Sequence, residues 1–102
     1  MEIKNNHQKS KNKHQNLVNL IANQLKTKPY VDWVRTNVEY EHGECDILAK
    51  QGNKLVYYEI KSNHTKKGYE KAQKQLNRWS DYYKNENTRG VYVSPQYMRL
   101  II

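Results

Sequence analysis

The sequence holds no phenylalanine, one cysteine, two prolines and four glycines in 102 residues, and its 10 acidic residues are outnumbered by 18 Lys and Arg. Each shortage excludes something. A lone Cys45 can form no intramolecular disulfide and no thiolate cluster for zinc, so it is expected as a small buried hydrophobe. No run approaches the roughly 18 apolar residues of a spanning helix, and the opening MEIKNNHQKSKNK lacks the apolar stretch of a secretory signal. The expectation is a chain that avoids the membrane and works inside the cell, in a cytoplasm. Leu, Ile and Val total 20, a thin supply for a core. Nine Tyr and two Trp supplement it with large rigid rings whose polar edges tolerate water. The length allows one domain. A net charge of +8 and a pI near 9.6 point to a polyanionic partner, with nucleic acid the leading choice.

Residues 1–13 carry Lys4, Lys9, Lys11 and Lys13 among Asn, Gln and His, too polar to order themselves, and are expected to form a flexible basic arm ahead of a folded domain over 14–102. From His14, Leu17, Val18, Leu20, Ile21 and Leu25 recur at helical spacing until Pro29. Trp33 to Tyr40 alternates as a strand, and Glu41 to Gly43 turns the chain. Two more strands, about Glu44 to Lys50 and Lys54 to Lys61, flank a tight Gly52-Asn53 turn. A basic loop follows, Ser62 to Gly68. Tyr69, Ala72, Leu76, Trp79 and Tyr83 then make a helical seam. Asn85 to Gly90 breaks it, Val91 to Val93 is a fourth strand, and Met98 to Ile102 offers a fifth. The order helix, three strands, helix, strand predicts a single-domain α/β sandwich with an antiparallel central hairpin.

A two-residue turn at Gly52-Asn53 sets Asp46 opposite Glu59 and Glu44 opposite Lys61, all four on one face, with Cys45, Ile47, Ala49, Val56, Tyr58 and Ile60 on the other. Opposed carboxylates on a partly buried face repel, and one takes up a proton unless a cation holds both charged. Mg²⁺ suits such a pair, with Mn²⁺ as a substitute, and the Ile60 carbonyl adds a third protein oxygen. Lys61 on the same face is placed to orient an attacking water or to offset phosphate charge. The competing explanation for Glu59-x-Lys61 is an ordinary solvated charge pair. Its position at the end of the apolar stretch Leu55-Val56-Tyr57-Tyr58 argues against that.

These residues resemble the PD-(D/E)xK nuclease superfamily, whose core is helix, three strands, helix, strand, the restriction-endonuclease-like fold. Asp46 matches its first acid, Glu59 its second and Lys61 its lysine. Gly43-Glu44-Cys45-Asp46 is similar to the Gly-x-x-Asp motif of RecB-like exonucleases, and Gln75-Leu76-Asn77-Arg78-Trp79 to that branch's Gln-x-x-x-Tyr, with Trp79 in place of tyrosine. The resemblance covers about His14 to Val93. It implies a Mg²⁺-dependent deoxyribonuclease in which Asp46 and Glu59 bind the metal and Lys61 assists the water. Gln75 would then contact metal-bound water or nucleic acid, rather than being a plain exposed helical residue. Holliday-junction resolvases carry a helix-one glutamate that helps bind metal. His14 lies nearest that slot here, either as a site residue or as a surface imidazole.

Glu44 has two readings, a cross-strand ion pair with Lys61 or a further metal role. Lys66, Lys67, Lys71, Lys74 and Arg78 form a strip suited to a sugar-phosphate backbone, or simply a solvated face. DNA is the expected partner, without base-reading motifs. A chain this short is a candidate homodimer. The alternative function is a non-catalytic nucleic-acid-binding module or accessory subunit derived from a nuclease.

Overall fold

The computed structural model describes residues 2–41, 43–83, 87–95 and 98–100. His42 in the first turn, Asn85 and Glu86 in the break after the second helix, and Ile101 and Ile102 in the fifth strand lie outside the described residues, as do the side chains of Lys4, Lys9 and Lys11. The elements are α1 (Glu2–Lys26), β1 (Trp33–Tyr40), β2 (Gly43–Gln51), β3 (Lys54–Ile60), α2 (Lys66–Tyr82), β4 (Thr88–Val93) and β5 (Met98–Leu100). The five strands lie in sequence order. Pairing is antiparallel except for β3 with β4, which run parallel and are joined through α2.

Two elements start earlier than their apolar pattern suggests. α1 begins at Glu2, so the stretch expected as an arm is helical in its backbone. It contains no Gly or Pro, and extending an existing helix adds one hydrogen bond per residue fixed. The basic loop is also shorter than expected, because Lys66, Lys67 and Gly68 form the first turn of α2. Thr65 is the reason. Its Oγ1 accepts from the Gly68 N–H at 3.0 Å, and a Cβ at Gly68 would stand 2.9 Å from that oxygen, so a side chain there would push the threonine hydroxyl aside.

The two helices cover opposite faces of the sheet. Val18, Ile21 and Ala22 of α1 bury against Ile47, Ala49, Val56, Tyr58, Ile60 and Val93. Leu76 and Trp79 of α2 bury against Cys45, Leu48 and Tyr57, with Tyr57 and Trp79 rings 4.9 Å apart. Tyrosine and tryptophan thus take the volume that phenylalanine would fill. The hairpin turns at Gly52, whose φ of +64° suits glycine, and Gln51 pairs with Lys54 as expected.

The face assignment needs one correction. Cys45 was expected beside Ile47 and Ala49, yet it packs with Leu48 and Tyr57 under α2. β1 switches at the same level: Val34 packs toward α1, whereas Val38 and Tyr40 join Trp33 on the α2 side. Asn37 causes the switch. Its φ is +52°, in the left-handed region that asparagine tolerates. The β1–β2 ladder pairs Thr36 with Ile47 and Val38 with Cys45, while the Asn37–Asp46 rung between them is missing among the described residues. The sheet is therefore kinked at Asp46, and strict alternation fails there.

Asn37→Gly should leave the urea unfolding midpoint nearly unchanged, within about 0.5 kcal/mol. Asn37→Val, which forces a β-branched residue into the left-handed region, should lower stability by about 1–3 kcal/mol.

Candidate functional site

The kink gathers Asp46, Glu59 and Ile60. The β2–β3 ladder ends at Ile47 with Tyr58, and beyond it the Ile60 N–H donates to Asp46 Oδ2 at 2.8 Å, a side chain replacing the backbone acceptor a regular ladder would supply. Both acids are buried, Asp46 at 7% and Glu59 at 5% exposure. Glu59 lies between a donor on its own strand and a cation just past the strand's end: the Tyr57 hydroxyl donates to Oε2 at 3.0 Å, and Lys61 Nζ stands 3.7 Å from Oε1. Lys61 is half-buried, and its N–H donates to the Val93 carbonyl, which holds it beside β4.

The Glu59 pKa is raised from 4.5 to about 8, with desolvation the largest influence. The Asp46 carboxyl contributes to that rise by charge and by hydrogen bonding, while Lys61 and the Tyr57 hydroxyl oppose it. Desolvation and the nearby carboxylates also push the Tyr57 hydroxyl and the Cys45 thiol up, so both stay protonated donors. Cys45 donates to the Ile47 carbonyl and is buried, as expected for a structural thiol.

α1 delivers His14 to this place. Its Nε2 is 3.0 Å from the Ile60 carbonyl and 3.5 Å from Asp46 Oδ2. The register of Leu17 and Val18 against the sheet puts the residue one turn earlier over the strand ends. Gln75 stands elsewhere: its Nε2 donates to the Glu44 carbonyl at 3.0 Å, tying α2 to the start of β2. Glu44 is exposed and accepts from Asn37 Nδ2 at 3.3 Å; it does not pair with Lys61, because β3 ends at Ile60 and the kink turns the start of β2 aside. Lys66, Lys67, Lys71, Lys74 and Arg78 are all exposed along α2.

Tyr57 was missed as a site residue. Its place two before Glu59 in the same strand was the available signal, since such residues share a face. Asn37, which turns the sheet at Asp46, left no readable signal beyond asparagine's tolerance of positive φ.

Chemically, the cluster sets the Asp46 carboxyl beside the His14 imidazole and the Ile60 backbone, with the Glu59 carboxyl on the other side of Asp46. Among the described residues no set of three His, Cys, Asp or Glu side chains is arranged to hold a metal ion. A cation here would take Asp46 and Glu59 with the Ile60 carbonyl, which His14 now engages, and complete its shell with water or phosphate oxygens. Carboxylate and carbonyl oxygens are donors of the type a hard divalent ion takes.

Because Glu59 binds its proton more tightly in the folded than in the unfolded chain, its contribution to stability is full below about pH 4.5 and is lost as the pH rises to about 8. Urea midpoints measured in EDTA should fall across this interval in the wild type and be flatter in Glu59→Gln. Tyr57→Phe keeps the ring and removes the donor that favours the charged carboxylate, so the decline should extend to higher pH.

No protein-family model matches the chain, and no curated protein matches it. Among solved structures, the crystal structure of a repair endonuclease from Pyrococcus abyssi is similar, with a TM-score of 0.59 and 19% sequence identity over 78% of this chain. This chain spans 36% of that one. No described helix is long and apolar enough to cross a membrane. At this identity the likeness establishes architecture: the chain has the single-domain α/β sandwich of the restriction-endonuclease-like fold.

Proposed function

We propose that the protein is a metal-dependent nuclease that hydrolyses phosphodiester bonds in DNA. The observation that carries this reading is the buried meeting of Asp46 and Glu59, with Lys61 3.7 Å from Glu59, on a surface whose net charge suits a polyanion. The structural neighbour is described as a repair endonuclease, which agrees with the reading.

On this reading Asp46, Glu59 and the Ile60 carbonyl hold a Mg²⁺ or Mn²⁺ ion. When bound, the ion supplies Lewis acidity and lowers the pKa of a water ligand. Asp46 keeps its carboxylate in place by accepting from the Ile60 N–H. The Tyr57 hydroxyl fixes Glu59 Oε2, leaving Oε1 toward Lys61. The Lys61 ammonium orients the attacking water and offsets charge that builds on the phosphate. His14 lies against two of the three protein oxygens, close enough to bond a water or to act as a nitrogen ligand once it leaves the Ile60 carbonyl. Gln75 acts through Glu44 and braces the start of β2. Lys66, Lys67, Lys71, Lys74 and Arg78 contact phosphates without reading bases.

Incubation of labelled duplex, single-stranded and four-way-junction DNA with Mg²⁺ or Mn²⁺ should give cleavage that EDTA abolishes. Asp46→Ala, Glu59→Ala and Lys61→Ala should each slow it by at least about a hundredfold. Salt-sensitive DNA binding without cleavage of any substrate would replace this reading with a non-catalytic binding module.

A further inference from the structure

The flanks of α2 are unlike one another. Ala72, Leu76 and Trp79 point into the sheet. At 3.6 residues per turn, Lys67, Lys71, Lys74, Gln75, Arg78 and Tyr82 fall within one sector of roughly 100° on one side of that buried line. Glu70 and Asp81 fall outside it. The Gln75 bond to the Glu44 carbonyl shows that this flank borders the start of β2, two residues before Asp46.

The strip therefore ends on an aromatic residue. Tyr82 is 41% exposed, one of three large hydrophobic side chains so exposed among the described residues. It is also backed by other rings. Tyr83 lies against it with ring centroids 4.8 Å apart and planes 15° from parallel, Tyr40 stands at 5.6 Å, and Trp79 supports Tyr83 at 4.8 Å. This row leads inward from solvent to the core, where Trp79 packs on Tyr57, whose hydroxyl holds Glu59. Arg78 is one helical turn from Tyr82 and acts electrostatically on Tyr40.

We propose that Tyr82 is a stacking platform for an unpaired base, and that the substrate is nucleic acid with a single-stranded segment running along the Lys71, Lys74 and Arg78 strip. Phosphates alone need only cations. A rigidly backed ring at the end of a cationic track adds what a duplex cannot use, because its bases are already stacked on one another. Every base has a π face, so the platform selects strandedness without selecting sequence. The proposal rests on the nucleic-acid reading above but not on hydrolysis.

Anisotropy titrations in EDTA at low salt would compare a labelled oligothymidylate, an abasic strand of equal length and a blunt duplex. Wild-type protein should bind the oligothymidylate more tightly than the abasic strand. Tyr82→Ala should weaken oligothymidylate binding by about tenfold and erase that difference, with little change on duplex, while Tyr82→Phe should behave as wild type. Equal weakening on single strand and duplex, or equal wild-type affinity for the abasic strand and the oligothymidylate, would overturn the platform, as would failure to bind any of the three. Absence of cleavage after adding Mg²⁺, with the Tyr82 effect intact, would instead defeat only the hydrolytic reading.

Discussion

Two carboxyl groups buried against each other constrain the rest of this molecule. Removing charge from water is unfavourable, and bringing like charges together adds to the cost. Asp46 and Glu59 have both conditions at 7% and 5% exposure, and the surrounding groups answer them. The Ile60 N–H and the Tyr57 hydroxyl donate, Lys61 brings a positive charge, and a proton stays on Glu59 to about pH 8. A thin apolar core would not ordinarily hold such a pair. Here Trp79 and Tyr57, two of its largest fully buried side chains, stand behind it, so the volume of the core and the chemistry of the site depend on the same rings.

The kink in the sheet gives the pair its geometry. In a regular ladder the Ile60 N–H would be spent on a β2 carbonyl and Asp46 would stand upright on one face. The left-handed Asn37 interrupts the β1–β2 ladder at that level, where the β2–β3 pairing also ends at Ile47 and the Asp46 carboxylate reaches the end of β3. The same opening admits His14 from α1. His14 and Asp46, which are 46 and 14 positions from Ile60 in the sequence, thus converge on it beside the missing rung.

Much of this was legible beforehand. β1 was readable to its end residues because aromatic and β-branched side chains are dense there, and the Gly52-Asn53 turn fixed the hairpin register that brings Asp46 and Glu59 together. Helix starts were less legible. A cap such as Thr65 acts through one hydroxyl, and the first turns of α1 carry no apolar periodicity at all. The side of the sheet taken by Cys45, and with it the fate of Glu44, was illegible for a different reason: alternation is a local rule, and one backbone torsion at Asn37 cancels it downstream. Tyr57 reads in the sequence only as part of the apolar stretch before Glu59; it is fully buried, and its hydroxyl gives it a second role that an apolar pattern does not reveal.

The measurement that bears most directly on the account is the position of a cation. Crystals soaked in Mn²⁺ and measured for anomalous scattering should show a peak bonded to carboxylate oxygens of both Asp46 and Glu59 at about 2.1–2.2 Å, with the Ile60 carbonyl in its shell. No peak between the two carboxyls at saturating Mn²⁺, or a peak held by other residues, would contradict it.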